Sequence, residues 1–125
     1  MEITDVSVDA LMSDDLVTAT PDTTIDEAAK RLLEHGISSL VVVDSDGRLE
    51  GILTSTDFIE LATGEHSSAG QTVEQYMSTD VVAVDADGTL QQAAANMMSH
   101  DIQHLPVEDA DGTVVGMFST TDLTA

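Results

Sequence analysis

The residues of this chain that are best suited to chemistry form one short motif that occurs twice. Thr54-Ser55-Thr56-Asp57 and Ser119-Thr120-Thr121-Asp122 each close an apolar run that begins with a glycine. If the hydroxyl residues open a helix, its first N–H groups lack partners and lie at the positive end of the dipole, so they can accept a phosphate. The aspartate can accept hydrogen bonds from the two hydroxyls of a ribose, as an acidic residue does in dinucleotide-binding folds. The motif therefore predicts a nucleotide site.

The same motif is also an ordinary way to begin a helix. A Ser or Thr followed three residues later by Asp caps the first turn, and an acidic residue there complements the dipole. Gene duplication copies a cap as readily as it copies a site. Both interpretations stay open at this point.

The motif is repeated because the chain itself is repeated. Val8–Glu60 aligns with Val73–Ala125 at a constant offset without a gap, and about a third of the aligned pairs are identical. A duplicated half-domain usually buries its exposed face against its twin. We therefore expect any site to occur twice, about a pseudo-two-fold axis. The glycines that open the runs, Gly51 and Gly116, indicate that another group approaches the backbone there.

Each repeat predicts the element order β-α-β-β-α after a short helical turn. The helix opens with a capping box, Thr24–Glu27 in the first copy and Thr89–Gln92 in the second. Gly36 ends the first helix, and Asp101 takes the equivalent place in the second. The remaining predicted elements are short turns at Val8–Met12 and Val73–Met77, extended stretches at Leu16–Thr20 and Val81–Asp85, hairpin strands at Leu40–Val43, Leu49–Leu53, Leu105–Val107 and Val114–Phe118, and closing helices from Ser55 to Leu61 and from Thr120.

These elements predict an α+β fold with an α/β-like order: two tandem β-α-β-β-α units related by pseudo-two-fold symmetry. Each unit should contain a three-stranded sheet, and the two sheets should pack through their helices. The predicted divisions are a first repeat over residues 1–61, a small polar linker over residues 62–72, and a second repeat over residues 73–125.

The charge of the chain excludes some classes of partner. There are 24 acidic residues against three basic ones, Lys30, Arg31 and Arg48, for a net charge of −21 at pH 7. Nucleic-acid binding requires clustered Lys and Arg, and an anionic membrane would repel this surface. Such a composition resembles that of proteins from extreme halophiles, where about 1 M salt shortens the Debye length to about 3 Å and screens the self-repulsion.

The sequence also bears on location and on metal or thiol chemistry. There is no cysteine, the acidic start lacks the apolar region of a signal peptide, and no apolar run approaches the ~20 residues of a membrane span. We therefore expect a soluble cytoplasmic protein. No two histidines are four residues apart, so no metal site is expected. His35 and His100 should lie at helix C-termini, and His66 in the linker.

Taken together, the motifs resemble a tandem pair of CBS domains, a family named after cystathionine β-synthase. The resemblance rests on the repeated Met-Ser pair, the capped amphipathic helix, the run Ile102–Gly112 and the Gly-h-h-[Ser/Thr]-x-x-Asp ending, where h is an apolar residue. It covers about Val8 to Ala125. It implies regulatory binding of adenosine ligands (AMP, ADP, ATP or S-adenosylmethionine) in two clefts between the units, and frequently a homodimer.

The resemblance also implies roles for particular residues. Asp57 and Asp122 match the family's ribose-binding aspartate. The other matching positions are Thr54, Thr56, Ser119 and Thr121 as hydroxyl contacts, Val17, Thr18, Val82 and Ala83 as the strand beside the base, and Ile37, Ser38, Ser39, Ile102, Gln103 and His104 as the opposite wall.

One departure from the family bears on the ligand. Many members present Arg or Lys to the phosphates, but Lys30 and Arg31 lie within the predicted helix and Arg48 lies in the hairpin. His104 is the remaining cationic candidate, and an unperturbed histidine is mostly neutral at pH 7. Phosphate binding would then depend on helix N-termini and hydroxyls, which favours AMP or a less charged adenosine compound over ATP and also leaves an empty site open.

The sequence therefore predicts a regulatory, ligand-sensing module with no required cofactor and no catalytic residues. Its expected partners are a small-molecule nucleotide, a second copy of itself and a regulated protein on another chain. The alternative is a structural, dimerisation or partner-docking module whose ligand sites are degenerate. An enzyme is disfavoured because no base–nucleophile pair, metal cluster or Gly-rich phosphate loop is recognisable.

Overall fold

The computed structural model describes residues 6–13, 16–63 and 70–123. It contains two small three-stranded sheets. In the first sheet β1 pairs in parallel with β2, and β2 pairs antiparallel with β3; β4, β5 and β6 repeat this pattern in the second. The strands are β1 (Thr18–Ala19), β2 (Ser39–Val43), β3 (Leu49–Thr54), β4 (Val84–Asp85), β5 (His104–Glu108) and β6 (Val114–Ser119). The α+β class and the tandem order are confirmed, with a 3-10 turn at Thr120–Leu123 in place of the predicted closing helix of the second repeat.

The helices begin and end close to the predicted residues. They are α1 (Ile25–His35), α2 (Ser55–Thr63) and α3 (Leu90–His100), with 3-10 turns at Val8–Ala10, Val73–Gln75 and Thr120–Leu123. Gly36 and Asp101 both end their helices in the left-handed conformation, with φ of 62° and 52°. Among the helices that the structure describes, none is long and apolar enough to cross a membrane.

The predicted capping boxes differ between the two repeats. In α3 the box is complete, because the Thr89 hydroxyl accepts from the Gln92 N–H and the Gln92 side chain accepts from the Thr89 N–H. In α1 only the Thr24 hydroxyl bond to the Glu27 N–H forms, so the prediction of a full box there is wrong. The Glu27 carboxylate instead lies 3.5 Å from the side chain of Arg31.

The chain separates into two compact units that do not coincide with the two repeats. The central unit is Val17–Val81, and the split unit joins Met1–Leu16 to Val82–Ala125. The turn that opens each repeat packs into the core of the other repeat: Val73 is fully buried with Leu40 and Leu53, and Val8 with Leu105 and Phe118. The predicted boundaries of the repeats and the linker stay predictions from the sequence. Residues 64–69, which include His66, lie outside the described residues.

The glycines of the closing strands are explained by these exchanged turns. The Ser78 N–H and C=O exchange hydrogen bonds of 2.9 and 3.0 Å with Ile52, beside Gly51. Ser13 makes the same pair of bonds with Met117, beside Gly116, at 2.9 Å each. The group that approaches each glycine is therefore the Met-Ser segment of the other repeat.

We expect Gly51→Ala and Gly116→Ala to destabilise the protein. A Cβ at Gly51 would lie 2.7 Å from the Ser78 carbonyl oxygen, and one at Gly116 would lie 2.8 Å from that of Ser13. Because backbone must move in both cases, each change should lower the free energy of unfolding by about 1–3 kcal/mol in urea titrations at fixed KCl. Gly36→Asn is the control: nothing lies within 4 Å of a Cβ there and Asn tolerates the left-handed conformation, so its effect should stay within about 0.5 kcal/mol. Equal effects at all three positions would contradict this reading.

Candidate functional site

In each unit the predicted site residues lie at one end of the sheet. In the central unit the last residue of β3, Thr54, pairs with the first residue of β2, Ser39. Strand β1 runs parallel to β2 with Thr18 opposite Val41, which places Val17 and Thr18 near the same end. The structure thus brings together segments that are distant in sequence.

The split unit repeats this arrangement. Ser119 at the end of β6 pairs with His104 at the start of β5, and Val82 and Ala83 directly precede β4. The Gln103 carbonyl accepts from the Thr120 N–H at 3.1 Å, as the Ser38 carbonyl accepts from the Ser55 N–H at 2.9 Å in the central unit. Four of the predicted apolar site residues are partly buried and pack against the edges of the two hydrophobic cores: Val17, Ile37, Val82 and Ile102.

Each motif aspartate caps its own turn. One oxygen of Asp57, Oδ2, accepts from the Thr54 N–H at 2.8 Å and from the Thr54 hydroxyl at 3.2 Å. Asp122 Oδ2 accepts from the Ser119 N–H at 2.7 Å and from its hydroxyl at 3.3 Å. The capping interpretation is therefore correct for Oδ2. Oδ1 of Asp57 makes no hydrogen bond with any described residue, so it can accept from a ribose hydroxyl without disturbing the cap.

The helix N-termini attract a phosphate less strongly than the motif predicted. The Ser55 N–H, one of the donors that a helix start leaves unpaired, is taken by the Ser38 carbonyl. The second copy opens a 3-10 turn of four residues, Thr120–Leu123, which aligns too few peptide dipoles to attract an anion strongly. Thr56 is exposed on the first turn of α2, and the side chain of Thr121 lies outside the described part of the chain.

His104 is half-buried at the sheet end of the split unit, close to Asp122. Burial lowers its pKa below the ordinary 6.5, and the nearby Asp122 carboxylate offsets part of that effect. His104 is therefore neutral at pH 7 and does not supply a positive charge for a phosphate. Its equivalent in the central unit is Ser39, a buried residue.

Arg31 lies closer to the predicted site than the sequence indicated. Its Nη1 donates to the Thr18 carbonyl at 2.7 Å, beside the start of β1. The equivalent residue in α3 is Asn96. The contact could have been inferred only from the crossover geometry, in which a helix following a strand packs back over it.

Metal binding has no support within the described part of the chain. There, no group of three or more His, Asp or Glu side chains is arranged to hold an ion.

The chain matches one protein family twice. The family model described as CBS domain matches residues 6–64 and 73–125, which is nearly the whole chain.

Two proteins with similar sequences are longer than this chain. An uncharacterized 17.7 kDa protein of Acidianus ambivalens is 38% identical over 103 residues, which are 82% of this chain and 62% of that protein. A homoserine O-acetyltransferase of Methanohalobium evestigatum is 34% identical, with 93% of this chain matching 23% of the enzyme. The chain therefore spans less than two thirds of either relative.

A solved structure resembles the fold closely. The CBS domain pair of protein MJ0100, in complex with 5′-methylthioadenosine and S-adenosyl-L-methionine, is 32% identical with a TM-score of 0.83. The match covers 95% of this chain and 93% of that one.

We expect Asp57→Asn and Asp122→Asn to separate the cap from ligand binding. The asparagine keeps one oxygen for the cap, while its NH₂ group cannot accept from a ribose hydroxyl. Each Asn variant should therefore retain most of its stability in urea and lose the part of the ligand-induced rise in Tm that its own site contributes. The Ala variants remove the cap as well and should cost about 1 kcal/mol of unfolding free energy. Asn variants that bind adenosine compounds normally would show that the aspartates are caps alone.

The imidazole of His104 should titrate below pH 6.5 in the folded protein, as followed by NMR. Because its folded-state pKa is lowered, the unfolded chain binds this proton more readily. The stability from this group is therefore complete above about pH 6.5 and is lost as the pH falls through the folded pKa. Asp122→Asn removes the carboxylate that raises the pKa and should lower it further. A pKa that stays constant or rises in this variant would contradict the assigned cause.

Proposed function

Because this chain belongs to the CBS-domain family, as a tandem pair of CBS domains, we propose that it is a regulatory module that senses an adenosine-type ligand. The observation that carries the proposal is the convergence, at one end of each sheet, of the strand-end hydroxyl with a carboxylate. In the central unit this carboxylate keeps one oxygen available. The MJ0100 domain pair, similar over nearly its whole length, is in complex with adenosine compounds. Binding would regulate by favouring one arrangement of the module over another.

The electrostatics favour an adenosine compound without several negative charges. His104 is neutral, the first N–H of α2 is already bonded, and the chain carries a net charge of −21. A triphosphate would therefore meet repulsion, which Arg31 in the central unit offsets only in part because its guanidinium is already bonded to the Thr18 carbonyl and lies near the Glu27 carboxylate. 5′-Methylthioadenosine and S-adenosylmethionine fit these constraints best. AMP, the ligand that the sequence favoured, remains a candidate with its single phosphate.

The regulated activity would belong to a catalytic partner. The match to the homoserine O-acetyltransferase covers about a quarter of that enzyme, as expected of a regulatory module joined to a catalytic domain. We propose that this module likewise regulates a catalytic protein. The role of these residues would then be regulation rather than catalysis. A cytoplasmic location and a halophilic source remain predictions from composition.

A second copy of the chain is the other proposed partner. Leu33 and Met98 occupy equivalent positions in α1 and α3 and are 84% and 83% exposed. The family resemblance implies a homodimer, and we propose that these two exposed apolar side chains take part in the contact between copies. Light scattering should give twice the chain mass, and Leu33→Glu with Met98→Glu should reduce it to one. A monomeric parent protein would end this part of the proposal.

A ligand panel tests the function. At molar KCl, 5′-methylthioadenosine or S-adenosylmethionine should raise Tm more than AMP, and AMP more than ATP. A ligand at 100 times its Kd stabilises by about 2.7 kcal/mol. AMP affinity should hold steady or rise with KCl because protein and ligand repel each other. The Asp57→Asn/Asp122→Asn double variant is the control and should not respond. If no compound shifts Tm and the dimer is stable, the structural-module alternative is correct.

A further inference from the structure

The central unit holds an arginine head group against the start of its edge strand. Arg31 Nη1 donates to the Thr18 carbonyl at 2.7 Å, and its Nε lies 3.5 Å from the Glu27 carboxylate. Strand β1 pairs on one side only, with β2, so its other side presents backbone groups that the sheet does not use. The guanidinium therefore bonds to the Thr18 carbonyl and lies near the Glu27 carboxylate.

The split unit has the corresponding position without the arginine, and Gln92 stands there in place of Glu27. Asn96 stands at the position equivalent to Arg31, and Ala83 at the position equivalent to Thr18. Both residues line a cavity of about 390 Å³ between the start of β4 and the outer face of α3. Asp85, Thr89 and Gln92 also line it. The shorter side chain of Asn96 leaves open space where the other unit has its cation.

We propose that this cavity binds a small guanidinium compound, whose head group takes the place that Arg31 fills in the central unit. A guanidinium has five N–H donors and no acceptor, and it suits a site with carbonyl, amide and carboxylate oxygens. Asp85 and Asn96 both line the cavity, and in this proposal their side chains supply the carboxylate and the amide oxygen. The volume lies within the usual range for small-molecule sites, and the net charge of −21 raises the local concentration of cations.

The site is separate from the proposed adenosine site in most of its residues. Ala83 is common to both, whereas His104, Ser119 and Asp122 do not line the cavity. The inference therefore extends beyond the adenosine-sensing role and can succeed or fail independently of it.

L-Arginine and L-citrulline provide a matched pair of probes. They differ only in that the guanidinium of arginine is replaced by a neutral ureido group. In NMR titrations of the full chain, at the lowest KCl concentration that keeps it folded, arginine should shift the signals of Ala83, Asp85 and Asn96 saturably. Citrulline should bind at least tenfold more weakly, because it lacks the positive charge and offers an acceptor where donors are needed.

Two variants test the equivalence of the two places. Asn96→Arg should fill the cavity with a side chain like that of Arg31 and abolish the arginine-dependent shifts. Arg31→Asn should open the matching place in the central unit and add a second set of shifts at Thr18. Asp122→Asn should bind arginine as the parent does, since it alters the adenosine site alone.

Several outcomes would overturn the proposal. Equal shifts with arginine and citrulline would show that the guanidinium is not recognised, and unchanged binding by Asn96→Arg would place the ligand elsewhere. If Asn96→Arg does not fold, Arg31→Asn decides the question, because the absence of new shifts at Thr18 would show that the carbonyl and its surroundings do not select a guanidinium.

Discussion

Both compact units depend on the docking of a Met-Ser segment against a glycine in a closing strand. Gly51 and Gly116 have no side chain, so the carbonyls of Ser78 and Ser13 can reach the strand backbone and exchange pairs of hydrogen bonds with it. Each segment comes from the other sequence repeat. The core of either unit is therefore complete only when both repeats are present, which gives a physical reason for the duplication to persist as a single chain.

The exchange also determines where the candidate site residues begin. After Ser78 has docked in the central unit, the chain reaches Val82 and Ala83 of the split unit within a few residues. Strands β1 and β4 therefore begin within six residues of a segment that belongs to the other unit.

Capping and ligand binding are compatible at the motif aspartates because a carboxylate has two oxygens. Oδ2 of Asp57 and of Asp122 closes the turn between strand and helix, and this bond fixes the orientation of the carboxylate. A carboxylate already held in place loses little conformational entropy when a ligand binds. The cap thus prepares the aspartate for the role that the family resemblance implies.

The two halves have diverged in their electrostatics while keeping their backbone. Arg31 has Asn96 as its counterpart, and Ser39 has His104. One half fills the edge of its sheet with a cation, whereas the other leaves a cavity there and holds a neutral imidazole at its sheet end. The two candidate sites therefore differ in the charge that they would present to a ligand.

Local features of this protein could be read from its sequence because they depend on neighbouring residues. The periodicity of α1 and α3, their Thr caps, the left-handed ends at Gly36 and Asp101, and the hairpins follow from short-range sterics and hydrogen bonds, and the structure confirms them. The repeated motifs, with their order and spacing, were sufficient to predict the fold and the family. The hydroxyl–aspartate motif could be located in the sequence. The sequence did not decide whether its aspartate caps a turn or binds a ligand.

Only the tertiary structure decided which repeat completes which core, what approaches the glycines and where Arg31 points. Those contacts join residues far apart in sequence, and the two repeats are so similar that Val73 could have packed with either half on sequence grounds. Glu27 illustrates the same limit at short range, since its choice between the cap and Arg31 depended on where the arginine lay. Contacts within one turn of chain are set by local chemistry, whereas contacts between distant segments depend on how the whole backbone folds.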